Sequence, residues 1–497
     1  MTTTETSSQL GEVRLYIDGE LRAAASGKTF DNVNPANEQI LGQAADADAD
    51  DMDAAIAAAR RAFDETNWAT DHEFRQRCLL QLQEALESDA ENIRAEVIAE
   101  AGAPVLSTYG PQVDWPLADG VRWPAEHITE FQWDRTLPDA EAFGAVSHRQ
   151  VWKEATGVVG AICPWNFPFE VTINKVGQAL ATGNTLIVKP APDTPWSGTR
   201  LGRLVAEHTD IPAGVFNVVT STDHMIGEQL VVDPRVDLIS FTGSTVTGRR
   251  ILEKAIPTLK RTFLELGGKS AMLVLDDADL EAVLPSASFS CIHAGQGCAL
   301  QTRILVPRSR YAEATEILTE AIKAVGFGQP TDPSVLAGPL ISEKQRRRVL
   351  GYIDKGKAEG ARITTGGGIP ADQPKGFFVE PTVFVDVDND MTIAREEIFG
   401  PVVALIAHDG DDDAVRIAND NEYGLSGGVF SASREHALAI TRRLRIGSAQ
   451  VNGGSFYGAD SPYGGYKASG LGRQNGIEGF EQYLQTKAIG YSDELND

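Results

Sequence analysis

Residues 158–168 read VVGAICPWNFP, an apolar, β-rich run closed by a turn of prolines and asparagine. Other short apolar runs follow downstream. Apolar runs at 185–188, 215–220, 237–241 and 272–275 are separated by stretches with helical spacing, among them 198–208 and 245–256. Short continuous runs of this kind suit strands buried on both faces. Strand and helix in alternation predict a parallel, doubly wound α/β sheet, and such sheets take nucleotides at the carboxyl ends of their strands.

A second α/β pass follows. Residues 303–306 read as a strand, and 311–325 as a helix with Ala314, Leu318, Ala321, Ile322 and Val325 on one face. Further strands are predicted at 402–407 and 429–431. Upstream, 13–20 suits a short hairpin, a helix starts at Asp51 with Met52, Ala55, Ile56, Ala59 and Phe63 at helical spacing, and 73–101 continues as helix. The β-like segments 131–137 and 145–154 flank a loop at 138–143 and predict a protruding hairpin. The first ten residues read as an unstructured lead-in by composition alone. At 497 residues the chain exceeds what one core supports, so two lobes are expected, meeting near residues 260–300.

Composition excludes some functions. With 44 Lys and Arg against 70 Asp and Glu, the formal charge of −26 argues against a nucleic-acid backbone as partner. Cys78, Cys163, Cys291 and Cys298 show neither a pairing framework nor metal-ligand spacing, so no metal and a reduced, cytoplasmic setting are expected. The polar, acidic start and the lack of any bilayer-length apolar run predict no membrane association.

Where the lobes meet lie Glu265, in LELGGK (264–269), and Cys298, in GQGC (295–298). A lone cysteine is more often a small buried apolar residue, but Gly295, Gly297 and Ala299 strip bulk from around this sulfur. Glu265 between leucines could be a solvated strand end; desolvated there, it becomes a usable base. Asn166 in PWNFP can donate to a forming oxyanion, or simply serve a turn. FTGSTVTG (241–248) follows an apolar run and opens a helix, offering backbone N–H groups to a pyrophosphate, though it lacks the G-x-G-x-x-G fingerprint. Lys189 at another strand end could reach ribose or phosphate oxygens. Glu397 stands two residues before Phe399, a pairing that suits a ribose beside a flat ring and equally an ordinary helix end.

In this order, PWNFP, FTGST, ELGGK (265–269), GQGC, EIFGP (397–401) and SPYGGYK (461–467), the chain resembles the NAD(P)-dependent aldehyde dehydrogenases of the non-acylating, hydrolytic type over about residues 15–487. The resemblance implies that the Cys298 thiolate attacks an aldehyde, that Asn166 and the Cys298 N–H hold the oxyanion, and that Glu265 activates the water that releases the acid, with Lys175 as partner of the proton relay. It implies cofactor contacts at Ile162, Pro164, Trp165, Lys189, Pro192, Gly243, Ser244, Leu266, Gly267, Glu397 and Phe399, and a substrate pocket of Phe167, Val171, Asn174 and Tyr457. It also implies a cofactor domain (1–130 and 153–264), a catalytic domain (265–475) and a small β oligomerisation segment (131–152 and 476–497) that builds a homodimer or homotetramer.

Three positions depart from the family pattern. NAD-preferring members commonly carry a glutamate three residues after the lysine matched by Lys189; here it is Pro192. That weakens discrimination against NADP, yet no cation in 190–196 replaces it, so NAD is expected and NADP stays open. Gln474 stands where many relatives have a second relay carboxylate, which concentrates the burden on Glu265. Asn174 replaces a common aromatic and implies a roomier, more polar tunnel. Rival readings are a cysteine hydrolase or thioesterase using His293, which leaves the 241–248 turn unexplained, and a CoA-acylating dehydrogenase, whose relatives usually lack the water-activating glutamate.

Overall fold

The computed structural model describes residues 10–142 and 145–492. The expected lead-in, apart from Leu10, and Phe143 of the expected loop lie outside the described residues.

Five parallel strands form the centre of an eight-stranded sheet, in the spatial order Phe216–Val218, Thr185–Lys189, Val158–Ile162, Leu238–Thr242, Arg261–Glu265. Chain order reverses between Val158–Ile162 and Leu238–Thr242, which makes that junction the switch point where a crevice opens at the carboxyl ends. Strand periodicity divides the side chains between two cores. Val158, Ile187, Ile239 and Leu264 pack on one face against Met52, Ile56 and Leu230. Val159, Leu186, Val188 and Leu238 face the other, against Leu79, Phe169, Val176 and Leu201.

The second lobe repeats the scheme with seven strands, ordered Arg362–Thr365, Thr382–Val385, Val402–His408, Arg303–Pro307, Ala271–Val274, Ser426–Phe430, Ser448–Val451. All neighbours are parallel except the first pair. Ala271–Val274 is therefore central to the second sheet, whereas the alternation of the sequence grouped it with the first. The strand Arg261–Glu265, half polar in sequence, carries no clear apolar run, and only its end at Glu265 is legible in the sequence. The helix expected over 73–101 is two, His72–Ser88 and Ala90–Ala101, broken at Asp89, whose carboxylate takes the guanidinium of Arg200 at 2.5 Å.

The flap is a three-stranded antiparallel sheet of Asp134–Ala142, Ala145–Ala155 and Leu484–Tyr491. The expected loop at 138–143 is strand as far as Ala142, with a register shift between Leu137 and Ala140 where Pro138 can donate no ladder bond. The expected boundaries also move. Gly476–Gln482 is a helix whose Phe480 joins Tyr483 in the core of the first lobe, so among the described residues from 476 onward it is Leu484–Tyr491 that joins the flap. Gly470–Leu471, expected in the catalytic domain, pairs antiparallel with Arg261–Glu265 as an edge of the first sheet. Gly470 has φ 137°, and a Cβ there would lie 2.0 Å from the Leu264 carbonyl oxygen, so the pairing requires glycine. Among the described residues no helix is long and apolar enough to cross a membrane, and no group of His, Cys, Asp or Glu is arranged to hold a metal ion.

Candidate active site

The carboxyl ends of the first sheet set the reach of one half of the site. Asn166 follows Val158–Ile162, Lys189 closes Thr185–Lys189, Gly243 and Ser244 follow Leu238–Thr242, and Glu265 closes Arg261–Glu265. Cys298 arrives from the second lobe. It follows a 3₁₀ segment, Leu284–Gly295, that ends with His293, Ala294 and Gly295 successively in the left-handed region (φ 51°, 54° and 71°). Non-glycine residues there are strained. A Cβ on Gly295 would lie 2.1 Å from the Gly400 carbonyl oxygen, so the turn that delivers the cysteine closes against the loop carrying Glu397 and Phe399.

Asn166 Nδ2 donates to the carbonyl of Gln296 at 2.9 Å, which ties the amide to the backbone two residues before the cysteine. Gln112 Nε2 fixes the loop from the other side by donating to the Asn166 carbonyl at 3.0 Å. Among the described residues neither the second Asn166 side-chain N–H nor the Cys298 amide donates to an acceptor. The Asn166 amide is thus held against the backbone that leads to the cysteine. Gly268 admits the Cys298 backbone from the Glu265 side, since a Cβ there would lie 2.6 Å from the Cys298 carbonyl oxygen.

Glu265 is 2% exposed, and its Oε1 has no hydrogen-bond partner. Burial pushes its carboxyl up to about 8; Lys175 pulls it down, while Glu170 and Glu397 push it further up. A carboxyl so poised is matched to base work near neutral pH. Burial first, then Glu265, raises the Cys298 thiol well above its ordinary value, against a hydrogen bond to the Tyr463 hydroxyl at 3.1 Å. Lys175 donates to Ser240 Oγ at 3.0 Å and lies over the Phe263 ring, so its charge acts on Glu265 without an ion pair. Gln474 places its side chain in the interior with Oε1 unpartnered, and its backbone exchanges two 2.7 Å hydrogen bonds with Tyr463.

A cavity of about 430 Å³ lies beside the switch point, lined by Ile162, Lys189, Gly227, Phe241, Val246 and Thr247 among others. Lys189 is buried, with Nζ within 3.4 Å of the Ser221 carbonyl, and burial lowers it to about 8. Ser244 caps the helix Thr245–Ala255 by accepting from the Thr247 N–H. Gly243 leaves no room for a Cβ, which would lie 2.5 Å from the Phe241 ring, so the turn before this helix requires glycine. An apolar slot, a buried ammonium and a helix N-terminus fit a dinucleotide. Trp165 meets Phe399 edge-on at 5.4 Å, with Pro164 beside it in the same turn. Glu397 rests on the 267–268 backbone: it accepts from the Gly268 N–H at 2.9 Å, and a Cβ on Gly267 would strike its carboxylate. Leu266 packs its side chain under Gly248 in the core of the first lobe. Pro192 does not line the cavity.

The candidate pocket residues lie on and around the helix Pro168–Ala181. Val171 and Asn174 are buried on it, Phe167 precedes it, and Tyr457 reaches it from the second lobe. Phe167 packs edge-on against His293, whose imidazole burial lowers to about 4; the hydrogen bond of the Cys298 sulfur is with Tyr463, not with His293. A Cys–His dyad is therefore not what the structure assembles.

Two residues of the site escaped the sequence reading. Glu170 accepts from Asn174 Nδ2 at 2.7 Å and from the Tyr457 hydroxyl at 3.2 Å, and burial raises its carboxyl to about 7. Its signal was available: one acid among Phe169, Val171, Ile173 and Val176, one helical turn before Asn174. Tyr463 lay inside a motif quoted above, but nothing local pointed its hydroxyl at the sulfur.

A model described as the aldehyde dehydrogenase family matches residues 22–489. The chain belongs to the aldehyde dehydrogenase family. It is 38% identical over 482 residues to the putative aldehyde dehydrogenase DhaS of Bacillus subtilis (strain 168), covering 96% of this chain and 95% of that one. It is 39% identical over 477 residues to a 3-succinoylsemialdehyde-pyridine dehydrogenase of a Pseudomonas species, covering 95% and 97%. Its fold matches the crystal structure of a Mycobacterium tuberculosis aldehyde dehydrogenase complexed with NAD+ at a TM-score of 0.92, with 40% identity over 97% of this chain and 98% of that one.

Proposed function

We propose that this aldehyde dehydrogenase works with NAD as hydride acceptor and with Cys298, Asn166 and Glu265 as its chemical machinery. The observation that carries this reading is the convergence of the three from two lobes: Asn166 tied to the Gln296 carbonyl, and the backbone of Cys298 pressed on Gly268 beside a buried, partly unpartnered Glu265.

Glu265 takes the proton of the Cys298 thiol, and the thiolate attacks the aldehyde carbon as the carbonyl electron pair moves to oxygen. The oxyanion lies on the free Asn166 N–H and the Cys298 N–H. NAD, when bound, supplies the acceptor for the hydride whose loss leaves a thioester on Cys298. Glu265, having first passed the thiol proton to solvent, takes a proton from water, which attacks the thioester carbon; the sulfur departs as thiolate and the acid leaves. A retained base at 265 supports water, not CoA, as the acyl acceptor.

Lys189, the Ser244 helix N-terminus, Gly243 and the cavity lined by Ile162 and Phe241 would hold the adenosine and pyrophosphate; Trp165, Phe399 and Glu397 stand towards the nicotinamide end. With Pro192 offering no carboxylate to a 2′-phosphate, NADP binding is weakened less than in glutamate-bearing relatives. Phe167, Val171, Asn174 and Tyr457 surround the aldehyde, and the Glu170–Asn174–Tyr457 cluster gives the tunnel a polar wall. The three-stranded flap, which stands apart from both large sheets, supports assembly as a homodimer or homotetramer. Four free cysteines support a cytoplasmic setting.

The test is a panel of aldehydes assayed for NADH and NADPH formation with Cys298→Ala as control. Reduction of NAD by the wild type and none by the alanine variant, which still binds NADH, is expected. An alanine variant with full activity refutes the assignment of the nucleophile.

A further inference from the structure

Tyr463 meets the reacting atom directly, and the mechanism above leaves it idle. Its hydroxyl lies 3.1 Å from Cys298 Sγ. The ring is not there by accident of a loose loop. Its backbone exchanges two hydrogen bonds of 2.7 Å with Gln474, and its face stacks on Phe456 at 6.2 Å with an interplanar angle of 15°. The backbone pairing makes no use of the side chain at 474, so a glutamine there serves the clamp as well as a glutamate.

Around the sulfur the other charged groups oppose ionisation. Glu265 from the end of its strand, Glu170 from the helix Pro168–Ala181 and Glu397 from the loop before Phe399 all disfavour a thiolate, as does burial. Tyr463 works the other way. Burial, with Cys298 and Glu265 adding to it, keeps the phenol itself protonated far above its ordinary range, so towards a thiolate it can only donate.

We propose that the Tyr463 hydroxyl is a catalytic hydrogen-bond donor to the Cys298 thiolate, raising the fraction of enzyme ready to attack. This rests on Cys298 being the nucleophile. The phenol keeps its proton throughout: the thiol proton goes to Glu265, the Tyr463 O–H points at the sulfur anion, and the donation weakens once the sulfur is bonded to carbon and the charge has moved to the oxyanion at Asn166. The hydroxyl therefore assists the steps in which the sulfur carries charge, formation of the nucleophile first and departure of the thiolate from the thioester second.

A hydrogen bond to a charged group corresponds to a displacement of about one to two pH units in the thiol titration. A thiolate of higher pKa is intrinsically more reactive, with a Brønsted slope of about 0.4–0.5, so part of the loss is returned. The net effect at fixed pH is a fall of roughly 3- to 10-fold in reactivity.

The experiment is alkylation by iodoacetamide from mildly acid to alkaline pH, read as mass of the peptide carrying Cys298, in wild type and Tyr463→Phe. Cys78, Cys163 and Cys291 are buried, which leaves Cys298 as the accessible thiol. Expected is labelling 3- to 10-fold slower in the phenylalanine variant, with the profile displaced to higher pH. Site-specific 3-fluorotyrosine at 463, a stronger donor of nearly the same shape, should displace the profile to lower pH, and this arm stands even if Tyr463→Phe fails to fold. Superimposable profiles, or a fluorotyrosine shift in the other direction, overturn the proposal. Failure of the underlying reading shows separately, as aldehyde-dependent cofactor reduction that survives in Cys298→Ala.

Discussion

Glu265→Gln preserves the shape of the side chain and removes its capacity to take a proton. The carboxyl is pushed up to about 8 by burial. On that basis about one site in eleven is ionised at pH 7 and about ten in eleven at pH 9, so turnover limited by hydrolysis should rise about tenfold across that interval. The glutamine variant loses the contribution of a general base, about 10²- to 10⁴-fold in kcat, and with it this pH dependence. Rapid mixing with aldehyde and NAD should still give a first equivalent of NADH per site, more slowly, before the stall. Acid quenching followed by mass spectrometry should find the acyl group on Cys298. The same substitution should stabilise the fold. In the unfolded chain the carboxyl ionises above 4.5, whereas the folded state holds its proton to about 8. The unfolded state therefore binds fewer protons in that window, stability falls as pH rises through it, and by pH 8 the cost is about 4 kcal/mol. Glutamine removes that cost, so its melting temperature should exceed that of wild type at pH 8 and approach it at pH 5. A variant with wild-type steady-state turnover, or one that accumulates no acyl-enzyme, would place the hydrolytic base elsewhere.

Asn166→Ala removes one oxyanion donor and should lower kcat by about 10²- to 10³-fold, with the NADH dissociation constant unchanged in fluorescence titration; equal activity would show that the Cys298 N–H suffices. Gly295→Ala forces a Cβ to 2.1 Å from the Gly400 carbonyl oxygen at a φ of 71°, so its thermal unfolding should fall by several degrees and its Cys298 labelling should change.

The motif residues were legible because their chemistry is local. Small residues around Cys298, the Ser-Thr-Gly turn after an apolar run and the Asn-Pro turn each announce a constraint that neighbours in the chain impose. Continuous apolar runs likewise identified most of the central strands of the first sheet. Where a segment owes its structure to distant partners, the reading failed. Arg261–Glu265 is a strand because Leu238–Thr242 pairs with it on one side and Gly470–Leu471 on the other. Ala271–Val274 looks like its upstream neighbours, yet pairs with Arg303–Pro307 and Ser426–Phe430, far along the chain.

The sequence by itself thus determined the α/β class, the order of the motifs and the family, since hydrophobic spacing and motif chemistry act over a few residues. Only the tertiary structure decided how the site is tuned. The raised carboxyl of Glu265 depends on burial between two lobes and on Glu170, Glu397 and Lys175, which are remote in sequence. The partner of the sulfur is Tyr463, 165 residues away, brought there by a backbone pairing with Gln474. Desolvation and through-space charge belong to the fold as a whole, and no stretch of chain encodes them locally.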